Sequence, residues 1–245
     1  MVGLRRSLES YYGHPERDAA MDGFYARFIR PGDLVFDIGA HVGDRVASFL
    51  RLGARVVAVE PQPLCVLALR AIFSGDDRVA VVEAACADGV GTVPLYINTA
   101  NPTVSTASPH FPRAARGATG WEDETWDTTG EAPSTTLDAL IAAHGLPAFV
   151  KIDVEGFEDA VLAGLHQAPP ALSFEFTTIE RILPRRCLDH LCALGFTDFN
   201  LALGDEMALA LPGWLSADDM AAHLRALPHE VNSGDVYCLS RPPRS

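Results

Sequence analysis

A doubly wound α/β sheet is the fold this sequence predicts. Three observations carry it. Short apolar runs such as Leu34-Val35-Phe36-Asp37-Ile38 and Phe149-Val150-Lys151-Ile152 are nearly continuous rather than alternating, as in strands buried on both faces of a parallel sheet. These runs alternate with segments of helical periodicity, which puts helices on both faces. The first run ends in the turn Gly39-Ala40-His41-Val42-Gly43, at the end of the sheet where such folds bind ligands.

The elements follow in order. Residues 7–29 read as a helical cap over the sheet edge, so 1–30 form an N-terminal cap and 31–245 the main domain. Residues 34–38 are the first strand and 44–52 the helix after the glycine turn. Residues 55–59 make a second strand, stopped by Pro61, and 63–73 a second helix. A third strand at 79–82 is followed by an accessory strand at 90–98. Residues 135–144 are helical, 149–153 the fourth core strand and 156–165 its helix. A fifth strand at 171–176 leads into a helix at 179–194. Strands at 196–203 and 236–239, with a helix at 217–227 between them, complete the pattern.

One segment breaks the rhythm. Residues 99–134 are rich in Thr, Ser, Pro, Gly and Ala and carry His110, Phe111, Trp121 and Trp126. So long an insert in a compact domain reads as a lid, a binding loop or a disordered segment. Trp121 and Trp126 flank the acidic run Glu122-Asp123-Glu124. Their rings either pack on the sheet or form a platform for a ring-bearing acceptor. Trp214, after Leu211-Pro212-Gly213, is expected in the C-terminal core.

Composition narrows the function classes. The chain has 245 residues, enough for one large domain or two small ones, and 48% hydrophobic content excludes global disorder. A net charge of −13 repels a phosphate backbone, so nucleic acid is not expected as a partner. No run of about eighteen apolar residues is present, so no membrane span is expected. The first twenty residues lack the apolar core of a signal peptide. The five cysteines form no CxxC pair. A cytoplasmic protein with reduced thiols and no zinc site follows.

Two places concentrate chemistry. In the first, the spacing of Gly39 and Gly43 is not that of a dinucleotide site, and no phosphate-binding loop occurs. Glu60, at the end of the second strand, is placed to accept both ribose hydroxyls of an adenosine ligand. Acid and glycine turn together point to a nucleoside cofactor. In the second, Val150-Lys151-Ile152-Asp153-Val154-Glu155-Gly156-Phe157-Glu158, Lys151 is the only lysine of the chain. Asp153 and Glu155 leave a buried strand into the ligand crevice, where charge is costly unless paired or used. Glu158 and Asp159 read as helix-start acids.

These segments carry a resemblance. Phe36 to Gly43, Val59-Glu60-Pro61, Thr136-Leu137-Asp138, Lys151 to Glu158 and Ser173-Phe174-Glu175-Phe176 together resemble the FkbM-type S-adenosylmethionine-dependent methyltransferases. The resemblance spans roughly residues 33–200. It implies a class I methyltransferase sheet, seven mostly parallel strands with the last antiparallel, and methylation of a hydroxyl on a small molecule or a sugar or glycan intermediate. It implies S-adenosylmethionine as cofactor, with Asp37, Gly39, His41 and Gly43 along its methionine and ribose and Glu60 on the ribose hydroxyls. The family usually has Asn where this chain has His41.

An alcohol nucleophile must lose its proton near the transition state. Asp153, Glu155, Glu175, His41 and His110 are the candidate bases, with Asp153 nearest the expected methyl and Glu175 on the neighbouring strand. No spaced His or Cys pattern indicates a transition metal. The three carboxylates are Mg²⁺-type donors, but their spacing alone assigns no metal. A nicotinamide-dependent oxidoreductase and a non-catalytic cofactor-binding module stay open as alternatives, as does the oligomeric state.

Overall fold

The structure, a computed structural model, describes residues 2–240. The expected spans end in residues 1 and 241–245, which lie outside the described residues. Helices α1 (Val2–Tyr11) and α2 (Pro15–Tyr25) lead into β1 (Leu34–Ile38), α3 (Asp44–Arg51), β2 (Arg55–Val59), α4 (Pro63–Ile72) and β3 (Val79–Val82). A short β4 (Ala85–Cys86) and β5 (Gly91–Ile97) follow, then α5 (Phe111–Ala115), β6 (Thr128–Thr135) and α6 (Leu137–His144). The chain continues through β7 (Phe149–Ile152), α7 (Glu158–Ala163), β8 (Ala171–Thr177), α8 (Leu183–Ala193), β9 (Phe196–Leu203), α9 (Ala217–Ala226) and β10 (Ser233–Ser240).

Seven strands form the main sheet in the order β3-β2-β1-β7-β8-β10-β9. The first five are parallel, and β10 runs antiparallel between β8 and β9. This is the expected sheet, with its switch point at β1 and β7, where ligand crevices form.

The side-chain period of two explains both core and site. Phe36, Ile38, Val150, Ile152, Leu172 and Phe174 pack on the face covered by α6, α7, α8 and α9. Val35, Val56, Phe149, Ala171 and Tyr237 pack on the opposite face, against α2 and α3. By the same alternation Asp37, Lys151, Ser173, Glu175 and Asp235 share that second face, and the strand register aligns Asp37 with Lys151, Lys151 with Ser173, and Glu175 with Asp235. Each fully buried apolar side chain contributes about 1.5–3 kcal/mol, which pins the register that gathers these polar groups.

Three expectations are corrected. The expected N-terminal cap is two helices, and α2 lies on a face of the sheet rather than over its edge. Met21, Phe24 and Tyr25 are fully or nearly fully buried, and Phe28 stacks on Phe149 and Tyr237, each at 5.3 Å. The insert is not one long loop, because β6 pairs antiparallel with β5 and parallel with β4 in a small second sheet. Within the insert Val104, Phe111, Ala115 and Trp121 form a hydrophobic cluster of their own. Trp214 is exposed. No helix among the described residues is long and apolar enough to cross a membrane.

Candidate active site

The turn after β1 is built by backbone geometry. Gly39 has φ +85, and its N–H and that of Ala40 both donate to the Val59 carbonyl at the end of β2. A Cβ on Gly39 would lie 1.8 Å from the Asp153 carbonyl oxygen, so β1 and β7 meet here at a distance only glycine allows. His41 adopts φ +48, a left-handed conformation that Asn favours and His tolerates. The exchange of Asn for His therefore keeps the turn. Gly43 opens α3 and faces Leu69 and Phe73, away from the cavities below.

Glu60 ties this turn to β2. Its Oε2 accepts the His41 N–H at 2.9 Å and its Oε1 the Gln62 N–H at 2.8 Å. Burial pushes its carboxyl up to about 7, against those two donors. Burial likewise pushes His41 down to about 4, leaving the ring neutral.

Two adjoining cavities share Gly39, His41, Thr103 and Asp153 in their walls. The larger, about 250 Å³, is acidic and holds Asp37, Asp153, Glu155, Glu175 and Asp235. Tyr11 from α1, Val104 and Trp121 from the insert, and Asn232 also line it. The smaller, about 40 Å³, lies against Glu60 between Val59, Ala85, Leu95 and Phe157.

One ammonium organises the acidic floor. Lys151, 1% exposed, donates from Nζ to Asp153 Oδ2 and to Asp235 Oδ1, both at 2.9 Å. Burial works against the Asp153 charge, but Lys151 outweighs it and holds that carboxyl below its ordinary range. Glu155 and Glu175 go the other way: burial, then the neighbouring Asp153 carboxylate, raises both well above theirs. Burial raises Asp37 to about 7. One oxygen each of Asp37, Glu155 and Glu175 is buried without a partner among the described residues. Asp153, Glu155 and Glu175 each offer one oxygen, and these lie within 4.8 Å of one another.

Asp37, Gly39, His41, Asp153, Glu155 and Glu175 thus meet at one cavity, and Glu60 meets them at its neighbour. His110 lies apart, on an outer groove beside α5. Glu158 stands in the first turn of α7 as expected, but it accepts the Val154 and Gly156 N–H groups at 3.0 and 3.1 Å and so ties down the turn before the helix rather than capping the helix's own N–H groups. Trp121 and Trp126 stand edge-on to Phe111, and the Trp121 Nε1–H donates to Asn232 at 2.6 Å, so the rings are packed, with Trp121 also at the cavity wall. Asp235, Tyr11 and Asn232 escaped the sequence reading. For Asp235 there was a signal: a charge inside Gly234-Asp235-Val236-Tyr237-Cys238, opposite a lone strand lysine that needed compensation.

A seven-stranded sheet with one antiparallel strand, an acid at the end of β2 and an acidic cavity beside the β1 turn define a class I S-adenosylmethionine-dependent methyltransferase. The model of the methyltransferase FkbM domain matches residues 37–194, and the chain belongs to that family. It is 34% identical over 184 residues to the 31-O-demethyl-FK506 methyltransferase FkbM of Streptomyces tacrolimicus, covering 62% of this chain and 68% of the relative. Among solved structures it is similar to a TehB-like S-adenosylmethionine-dependent methyltransferase from Corynebacterium glutamicum, at 10% identity and TM-score 0.49, covering 96% of this chain and 94% of that one. It is also similar to precorrin-6y C5,15-methyltransferase from Geobacter metallireducens, at 11% identity and TM-score 0.45, covering 95% and 91%. Family membership sets aside the nicotinamide and non-catalytic alternatives.

Proposed function

We propose that this enzyme methylates a hydroxyl oxygen of a small molecule or of a sugar or glycan intermediate. The observation that carries the reading is Asp153: a carboxylate kept ionised by Lys151, at the junction of the two cavities. The Streptomyces relative is named for a 31-O-demethyl compound, an oxygen acceptor, which supports the same chemistry. The acidic cavity and the net charge of −13 disfavour a nucleic-acid acceptor.

The residues present fit the cofactor. A carboxylate has about four lone-pair sites, and the backbone takes one on each Glu60 oxygen, which leaves directions for two ribose hydroxyls. Asp37, with a buried unpartnered oxygen, suits the methionine ammonium. Val59, Ala85, Leu95 and Phe157 offer apolar walls for the adenine. The cofactor, when bound, supplies an electrophilic methyl on a sulfonium. Thr103, Ser105, Thr106 and Ala107 of the insert line the smaller cavity, so the insert acts as a lid over the nucleoside.

Asp153 then takes the proton of the acceptor hydroxyl as that oxygen attacks, while the walls hold the reacting atoms in line. The insert and α1 close the cavity against water.

The test uses methyl-labelled S-adenosylmethionine with a panel of hydroxyl-bearing polyketides and sugars, and matched amines and thiols. Label on oxygen is expected. Label confined to nitrogen or sulfur products overturns the reading.

A further inference from the structure

We propose that Asp153, Glu155 and Glu175 form a site for one divalent cation of the hard, oxygen-preferring kind, Mg²⁺ or Mn²⁺, at the acceptor end of the larger cavity. This rests on the hydroxyl-transfer reading only for its purpose, not for its geometry.

The geometry comes first. One oxygen from each carboxylate lies within 4.8 Å of the other two. Metal–oxygen bonds of ~2.1 Å in an octahedron put ligand oxygens ~3.0 Å apart when adjacent and ~4.2 Å apart when opposite. A single ion can therefore touch all three with small side-chain shifts.

A second observation is independent of the clustering. Glu155 is 6% exposed, and its Oε2 is buried with no partner among the described residues. A buried carboxylate oxygen left bare is costly. Glu175 Oε2 is in the same position.

The local cations do not meet this need. Lys151 is committed to Asp153 and Asp235. Arg45 is committed to Asp44 and Asp205. With an ion bound, its remaining positions face the cavity that these carboxylates line. A hydroxyl bound there is oriented and gives up its proton more readily. The all-oxygen donor set favours Mg²⁺ and Mn²⁺ over softer metals.

Mn²⁺ titrated into the full chain without acceptor, followed by the loss of the free-ion paramagnetic resonance signal, reads the site directly. One ion per chain is expected, competed by Mg²⁺. Glu155→Gln and Glu175→Gln should each weaken it at least tenfold, with folding checked by circular dichroism. Asp153→Asn, at a partly exposed position, serves where a glutamate variant does not fold. No binding by the wild-type chain overturns the proposal, as does unchanged binding in the folded variants, which would put the ion elsewhere on an acidic surface. S-adenosylhomocysteine calorimetry and the labelled-methyl assay separate the two ideas. Mn²⁺ binding without oxygen methylation sinks the acceptor reading alone. Oxygen methylation without Mn²⁺ binding sinks the ion alone.

Discussion

Lys151 donates to Asp153 Oδ2 at 2.9 Å from two residues earlier in the chain, so the strand that leads to Asp153 also carries its counter-ion. The same ammonium reaches Asp235 on β10 at 2.9 Å, which joins β7 and β10 through one buried charge.

Replacing Lys151 by Met leaves Asp235 buried and unpaired. Breaking a buried pair costs roughly 3–5 kcal/mol. The low end is expected here, because the Asp153 side chain is 37% exposed and water screens its share. Chemical denaturation checks this, and stability within 1 kcal/mol of wild type would show that the pairing carries little weight.

Asp153→Asn keeps the shape and removes the charge. The chemical step should fall about 10²- to 10⁴-fold in single-turnover kinetics with an identified acceptor. Affinity for S-adenosylhomocysteine should change little. Normal turnover in this variant, with Glu175→Gln inactive, would move the base to β8.

Glu60→Ala removes the proposed ribose contact and leaves the His41 and Gln62 N–H groups without their acceptor. Cofactor affinity should drop roughly 10- to 100-fold, matching about 1.5–3 kcal/mol for hydrogen bonds to a charged group. Calorimetry decides it. The melting temperature should fall as well, which a purely ligand-facing acid would not cause.

The pH dependence of cofactor binding has a definite sign. Glu60 and Asp37 both sit near 7 in the free protein, above the ordinary carboxyl range, so each holds its proton below neutrality. Ribose hydroxyls and an ammonium favour the ionised forms, so binding expels those protons in acid. Affinity should rise from pH 5.5 to about 7 and level off above, roughly tenfold per unit for each carboxylate. Glu60→Gln should remove about half of that slope. A flat profile from wild type would mean that neither acid meets the ligand.

Much of this was legible in the residues. The core strands are continuous apolar runs, so their burial and order followed from hydrophobicity and spacing. Glu60, Asp153 and Glu175 stand at strand ends, where position alone suggests a ligand. What stayed hidden depends on tertiary pairing. Thr128-Thr129-Gly130-Glu131-Ala132-Pro133-Ser134-Thr135 has little apolar content and becomes a strand because β5 is beside it. Tyr11 enters the cavity wall because α1 packs on the insert, where a Cβ on Gly3 would meet the Thr99 carbonyl at 2.5 Å. The mutual distances of Asp153, Glu155 and Glu175 depend on the turn at Glu155, whose φ of +57 no local pattern announces.

The place of β10, inside the sheet next to its edge strand, has a consequence for how the protein is made. The strand lies between β8 and β9 yet follows both in the chain. During synthesis β8 and β9 emerge with facing edges unfilled, open to pairing with another chain. Asp235 arrives only with β10, so Lys151 has Asp153 alone as its partner until that strand slots in. Completion of the sheet and of the Lys151 hydrogen-bond pair are then one late event, and a ribosome-stalled chain ending before residue 233 should be held by chaperones and cleaved readily.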